Sequence, residues 1–132
     1  MSKAPRAGSR RAPAAGKSLA RAIVAAVGDA AQADAVKAFA TQAAADEAAD
    51  ELPELSTPQL AANLADFWRS GQRRRGRGPS IRTAPVIGAE QAGLDRLEIV
   101  QDDAPFLVDS VMGEIADQGL SVRSMFHPVV TV

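Results

Sequence analysis

The apolar pattern of this chain changes its period at an Arg/Gly-rich segment, residues 72–80. Before this segment, apolar side chains recur every three or four positions, which is the spacing of one helix face. After it, apolar and polar residues alternate, as they do on a half-buried strand. The change of period predicts an α+β chain in which helices come first and strands follow.

Residues 18–70 are predicted to form three helices. Ser18 caps the first helix and Gly28 ends it, because glycine readily adopts the left-handed conformation of a helix C-terminus. The third helix has Thr57 as its N-cap and Pro58 at its first helical position. The apolar faces predicted to pack are Leu19, Ile23 and Val27 in the first helix, Val36, Phe39, Ala40 and Ala43 in the second, and Leu60, Leu64, Phe67 and Trp68 in the third.

Two extended segments are predicted between the Arg/Gly-rich segment and residue 100. Residues 81–87 form an edge strand or a linker, because Pro85 has no N–H to donate to a neighbouring strand. Residues 94–100 form a firmer strand that carries Leu97 and Ile99 on one face.

The remaining residues predict a helix and a second strand. The helix covers residues 104–118, is capped by Asp102 or Asp103, and ends at Gly119. Its predicted buried stripe is Leu107, Val108, Val111, Met112 and Ile115. A strand over 122–132 follows, and it is predicted to lie parallel to 94–100 after a right-handed crossover.

These patterns divide the chain into four regions. Residues 1–17 are predicted to be a disordered basic tail, 18–70 a helical segment, 71–93 an Arg/Gly-rich loop with a linker or edge strand, and 94–132 a strand–helix–strand unit. One such unit leaves strand edges unpaired and cannot close a core. It is therefore predicted to be the incomplete first half of a larger module.

Composition limits how much apolar surface the chain can bury. Alanine supplies 28 of its 132 residues and contributes little buried area, so a partner domain or the remainder of a longer chain is expected. The absence of cysteine excludes disulfides and thiolate metal sites, and nothing suggests an oxidising compartment. A disordered basic tail is favoured over a transit peptide at the N-terminus, and a cytoplasmic protein is expected. The apolar runs are too short to cross a membrane. The net charge of −1 hides alternating basic and acidic blocks, which favour pairing within or between subunits.

The most specific motif lies near the end of the chain: Asp102-Asp103-Ala104-Pro105-Phe106-Leu107-Val108-Asp109-Ser110-Val111, followed by Gln118-Gly119-Leu120 and His127-Pro128-Val129. With this motif, the chain resembles the N-terminal region of the large bacterial NAD-specific glutamate dehydrogenases. The resemblance covers about residues 35–132, and the first 30 residues match nothing in particular.

The resemblance implies an ACT-like module of ferredoxin-like βαββαβ topology, of which 94–132 would be the first half. It implies a full-length enzyme that oxidises L-glutamate to 2-oxoglutarate and ammonium with NAD, a cofactor that this part of the protein does not bind. The catalytic residues would lie outside this chain. The implied partners are the remainder of its own long chain and further copies in a homo-oligomer.

An amino-acid effector is a further candidate ligand of ACT-type modules. Modules that bind one usually have glycine after the proline of the strand-to-helix turn, and here that position is Phe106. The ring would fill the space that a ligand needs. A structural or interface role is therefore favoured for the motif residues Asp102, Asp103, Pro105, Phe106, Leu107, Val108, Asp109, Ser110, His127 and Pro128.

No catalytic, cofactor-binding or metal-ligating residue is predicted. His127 has no nucleophile or acid at a catalytic spacing, and Ser110 has no assignable base. Asp103 and Asp109 are six positions apart on a helix and point away from each other, so capping explains the acidic cluster better.

The alternative function is a stand-alone module that senses a small molecule or associates with nucleic acid. Clustered guanidinium groups at Arg73, Arg74, Arg75 and Arg77 would contact phosphates. The loop has no aromatic side chain on which bases stack, so a solvated loop that pairs with acidic neighbours is favoured. Nucleic acid is not an expected partner.

Overall fold

A computed structural model describes residues 13–45, 52–73, 78–102 and 107–129. Its elements in chain order are α1 (Pro13–Val27), a 3₁₀ turn (Ala30–Gln32), α2 (Ala33–Ala45), α3 (Thr57–Gln72), β1 (Ser80–Pro85), β2 (Asp95–Val100) and α4 (Leu107–Asp117). Three of these α-helices precede the two strands and a fourth follows them, which confirms the predicted α+β class with a small partial unit.

The core lies among the first three helices, where α1 packs against both α2 and α3. Two aromatic contacts are formed at its centre: the ring of Phe39 lies 6.1 Å from that of Phe67 and 5.2 Å from that of Trp68. The predicted helix faces are confirmed, with Val27 and Phe67 partly buried at the margin. The buried members are Leu19, Ile23, Val36, Phe39, Ala40, Ala43, Leu60, Leu64 and Trp68.

The first helix begins earlier than predicted. It starts at Pro13 rather than at a Ser18 cap, so the predicted disordered tail over 1–17 is wrong for residues 13–17. Proline is tolerated in a first helical turn, where its missing N–H has no partner to bind, and the alanines that follow favour a helix. Residues 1–12 lie outside the described part of the chain. Gly28 follows the helix with φ of 65°, as predicted.

The cap of α3 is Ser56 rather than the predicted Thr57. The Ser56 hydroxyl accepts a hydrogen bond from the Gln59 N–H at 3.2 Å, and the Gln59 side chain accepts one from the Ser56 N–H at 2.9 Å. This reciprocal pair is a capping box. Pro58 is consequently the second helical residue, still within the turn where proline is tolerated.

Replacing Ser56 with alanine is expected to lower the free energy of unfolding by about 1 kcal/mol, because the first turn of α3 loses a hydrogen-bond acceptor. Urea unfolding followed by circular dichroism at 222 nm measures the loss. Ser18→Ala removes an exposed hydroxyl inside α1 and serves as the control. Equal stabilities of the two variants would contradict the role of the capping box.

β1 and β2 form a two-stranded antiparallel sheet. Its register places Ile81 opposite Ile99 and Thr83 opposite Leu97. The edge strand predicted for residues 81–87 is confirmed for 81–85, because β1 has a single strand neighbour among the described residues, and residues 86 and 87 lie beyond its end. One face of the sheet is turned toward α3.

The strand predicted for 122–132 is wrong for residues 122–129, which have no strand conformation, and its parallel pairing with 94–100 is not formed. Side chains hold this segment instead. The Gln42 amide accepts from the Val129 N–H at 2.8 Å and donates to the Val129 carbonyl, while Arg123 donates to Glu54 at 3.0 Å and 3.1 Å. Pro128 lacks the N–H that a strand position needs. Residues 130–132 lie outside the description.

α4 begins at Leu107 and ends at Asp117, inside the predicted bounds of 104–118. Residues 103–106 are not described, so the predicted caps are not tested. Gly119 follows the helix with φ of 75°, in agreement with its predicted role as the helix stop. No helix in the described ranges is long and apolar enough to cross a membrane.

Candidate interaction site

A network of charged side chains joins α3 to the sheet. Arg82 on β1 donates to Asp66 on α3 at 2.8 Å and to Glu98 on β2 at 2.8 Å. Arg96 on β2 donates to the same Asp66 oxygen at 2.6 Å. We refer to Asp66, Arg82, Arg96 and Glu98 as the charge network.

Arg96 makes the most contacts in this network. Its Nη1 donates to the Asn63 carbonyl at 2.8 Å, and its Nε donates to the Pro85 carbonyl at 3.1 Å. Nη1 also lies 3.0 Å from Glu98 Oε2, which is a charge contact because that oxygen accepts no hydrogen bond from the described residues. Glu98 is only 5% exposed, and the two neighbouring arginines are its charged partners.

The arginines also set the protonation of Asp66. Hydrogen bonds from Arg96 and, to a smaller extent, from Arg82 stabilise the carboxylate and lower the pKa of Asp66 below its ordinary value of 3.8. The hydrogen bonds that Asp66 and Glu98 accept in turn raise the pKa of Arg82. Asp66 and Arg82 are therefore both charged at neutral pH.

The acid stability of the fold should depend on Asp66. A carboxyl whose pKa is lowered by folding stabilises the fold fully above its unfolded pKa, near 3.8, and loses that contribution as the pH falls through the lower folded value. The difference in unfolding free energy between wild type and Asp66→Asn is therefore expected to be constant above about pH 5 and to shrink below pH 3.8. Urea titrations at a series of pH values measure it.

Val24→Ala serves as the control for this titration, because it removes an exposed methyl pair on α1 and no charge. Its difference from wild type is expected not to vary with pH. If the Asp66→Asn difference also stays constant down to pH 2, the arginines do not stabilise the Asp66 carboxylate.

Two side-chain amides hold irregular segments against the helices. Asn63 on α3 accepts from the Ile87 N–H at 2.8 Å and donates to the Ile87 carbonyl at 3.0 Å. Gln42 on α2 forms the same reciprocal pair with Val129. Each amide thus satisfies both backbone groups of one residue, as a neighbouring strand would.

A groove of about 500 Å³ lies beside β2, and we call it the β2 groove. Residues 95–99 of β2 line it, and no residue of β1 does. Residues 120–127 line it as well. Helices α3 and α4 complete it with Leu60, Asn63, Leu64 and Phe67 from the former and Val108, Val111, Met112 and Ile115 from the latter.

The buried stripe predicted on α4 is found only in part. Val108, Val111, Met112 and Ile115 share one face as predicted, but each is only half-buried because their common neighbour is the open groove. The side chain of Leu107 is not described.

The structure separates the motif residues. Val108 and His127 both line the β2 groove, although they come from different segments. Asp109 and Ser110 are exposed on α4. Asp102 is exposed after β2, and Pro128 is half-buried; Asp103, Pro105 and Phe106 lie outside the described residues.

The charge network was not predicted from the sequence. Its signal was present as the charged positions Arg82, Arg96 and Glu98, which alternate with apolar residues on β1 and β2. The alternation fixes a common face within each strand, and that face is the one turned toward Asp66. Asn63 gave no local signal, because its partner Ile87 is 24 positions away.

The described residues contain no group of three metal-binding side chains placed to hold a metal ion. They also do not fit a nicotinamide dinucleotide. Such a cofactor binds its pyrophosphate at a glycine-rich turn between a strand and a helix N-terminus. The connection from β2 to α4 has the sequence Gln-Asp-Asp-Ala-Pro-Phe, which contains no glycine.

These features define a small α+β module with an apolar groove. A family model described as the ACT1 domain of glutamate dehydrogenase matches residues 39–132, and the chain therefore belongs to that family. Comparisons with curated proteins and with solved structures gave no match. The family match confirms the resemblance carried by the motif near residues 102–111.

Helix α1 lies outside the matched range, yet it is part of the same core. Leu19 is 1% exposed and Ile23 is fully buried, and both pack with residues of α2 and α3. The folded unit therefore begins before the family match does.

Proposed function

We propose that this chain is a non-catalytic regulatory or assembly segment of an NAD-dependent glutamate dehydrogenase. The full-length enzyme oxidises L-glutamate to 2-oxoglutarate and ammonium and transfers the hydride to NAD in the cytoplasm, as a homo-oligomer. The family match over residues 39–132 carries this proposal.

The charge network supports a non-catalytic role. A glutamate dehydrogenase must hold the two carboxylates of its substrate, a task suited to arginine and lysine. Arg82 and Arg96 are already bound to Asp66 and Glu98, and Arg96 also donates to two backbone carbonyls. Neither guanidinium is available to a substrate without breaking the fold.

The same pairing argues for a structural or interface role over binding of an amino-acid effector in the β2 groove. A free amino acid carries an ammonium and a carboxylate, and both need charged or hydrogen-bonding partners. The groove is lined mainly by apolar side chains; of its charged side chains, Arg96 pairs with Glu98 and Arg123 pairs with Glu54, and Asp95 adds a further carboxylate. Of the arginine loop that would support nucleic-acid binding, only Arg73 is described, so nothing favours that alternative.

The test measures NADH formation at 340 nm with L-glutamate and NAD. The 132-residue chain alone is expected to give no NADH, and the whole polypeptide encoded by the same reading frame is expected to give it. Removal of residues 1–132 from the whole polypeptide should change its oligomeric state, measured by light scattering, or its saturation by glutamate. NADH formation by the 132-residue chain, or a whole polypeptide without this activity, would contradict the proposal.

A further inference from the structure

The two strands contribute no apolar side chain to the core. Of the residues of β1 and β2, all of which the structure describes, Glu98 alone is buried, and Ile81 and Leu97 are 65% and 48% exposed. The core members from this part of the chain are Val86 and Ala89, which lie in the connection between the strands. Apolar burial therefore attaches the connection to the helices, and other contacts hold the strands.

The charge network supplies those contacts. Arg82 and Arg96 both donate to Asp66, at 2.8 Å and 2.6 Å, and Asp66 is the one acidic residue of α3. Arg82 lies opposite Glu98 in the strand register, and Arg96 is two positions from Glu98 on β2, so the three side chains share one face of the sheet. That face carries two positive charges and one negative charge, and Asp66 balances them.

The two ends of the sheet are attached differently. Beyond the end of β1, the Asn63 amide binds both backbone groups of Ile87, at 2.8 Å and 3.0 Å, beside the buried Val86. At the opposite end, a methyl carbon of Val100 lies 3.6 Å from the position that a Cβ at Gly71 would occupy. Glycine has no side chain to pack against that methyl group. The firmer attachment is therefore the one at residues 86–89.

Separating the sheet from α3 costs less free energy than separating the helices from each other. Apolar helix faces lose their burial when they part, and water does not compensate for the loss. Asp66 and Arg82 are partly exposed, so water replaces much of their pairing. Glu98 keeps Arg82 and Arg96 as partners when the sheet leaves α3, because all three lie on the sheet.

We infer that the β1–β2 sheet opens away from α3 while the helical core stays folded, with residues 86–89 as the pivot and Asp66 as the latch that holds the sheet closed. The inference goes beyond the proposed function and does not depend on it. Residues 95–99 also line the β2 groove, so the opening changes the shape of the groove. Segments with few buried apolar contacts are the ones that move in regulated proteins.

Native-state hydrogen exchange of the 132-residue chain, followed by NMR at low urea concentrations, tests the inference. An isolated two-stranded hairpin is at best marginally stable in water, so the amides that pair β1 with β2 exchange once the sheet opens. We expect them to exchange at least about tenfold faster than the amides of Leu19, Ile23 and Leu64 in the helical core. Their exchange should also depend less on urea, because opening exposes less surface than global unfolding. The Ile87 amide at the pivot should remain as protected as the core.

Two variants separate the latch from the core. Asp66→Asn replaces the carboxylate with a neutral amide, which accepts weaker hydrogen bonds from Arg82 and Arg96, and should accelerate exchange of the strand amides about tenfold. Ile23→Val is the matched control, because it removes a fully buried methyl group from α1. It should accelerate exchange of the core amides and leave the strand amides unchanged, since the core is intact in both the closed and the open sheet.

Equal protection of the strands and the core in the wild type overturns the inference. Strand exchange that Asp66→Asn leaves unchanged, or that Ile23→Val accelerates as much as it accelerates the core, also overturns it. Loss of protection at Ile87 together with the strands does the same, because the pivot would then open as well. None of these measurements involves glutamate oxidation, so the proposed function is tested separately.

Discussion

Replacing Arg96 with alanine is expected to lower the free energy of unfolding by about 3 kcal/mol. The substitution removes hydrogen bonds to Asp66, Asn63 and Pro85 and leaves Glu98 with Arg82 as its remaining charged partner in the charge network. Glu98 is nearly inaccessible to water, so solvent cannot replace the lost guanidinium. Urea unfolding at pH 7 measures the loss.

Arg123→Ala is the matched control for this prediction. Arg123 also pairs with a carboxylate, that of Glu54, but both side chains are exposed, and solvent replaces the pair. Its loss of stability should be much smaller. Similar losses for the two variants would contradict the structural role of Arg96. A double-mutant cycle of Arg96→Ala with Glu98→Gln should give a coupling of about 1–3 kcal/mol between the two charges.

The helical part of the fold could be predicted from the sequence because its signals are local. The spacing of Val36, Phe39, Ala40 and Ala43 defines one face of α2, and all four are buried. Apolar residues that recur every three or four positions form one face of a helix, and this face is buried by packing against another helix. Helix ends were less predictable, because Ser56 and Thr57 are both good caps and the Gln59 side chain decides between them.

Strand pairing could not be predicted in the same way. The strand–helix–strand pattern predicted that 122–132 would lie parallel to β2, but β2 pairs with β1 and residues 122–129 are irregular. Which strand pairs with which depends on contacts distant in sequence. Gln42 and Val129, which fix the course of this segment, are 87 positions apart.

The residues of the charge network were not predicted from the sequence because the covered face of the sheet is the polar one. The apolar residues Leu97 and Ile99 share one face as predicted, yet the fully buried side chain of β2 is Glu98 on the other. Burial of a charge is uncommon unless it is paired, and the pairing partners Arg82 and Asp66 come from other elements. Alternation reveals that a strand has two faces, but it does not reveal which of them is covered.

Replacing Phe39 with alanine is expected to lower the free energy of unfolding by about 3–5 kcal/mol, a large part of the stability of a typical domain. Phe39 is 3% exposed and its ring contacts those of Phe67 and Trp68, so the truncation leaves a cavity at the centre of the core. Urea unfolding is followed by the fluorescence of Trp68, the single tryptophan, whose emission shifts to longer wavelength when the ring becomes exposed to water. The midpoint of this shift is expected at a lower urea concentration in the variant than in the wild type. Val24→Ala, at an exposed position of α1, should lose far less. A Phe39→Ala variant as stable as this control would show that the three aromatic rings do not form the centre of the core.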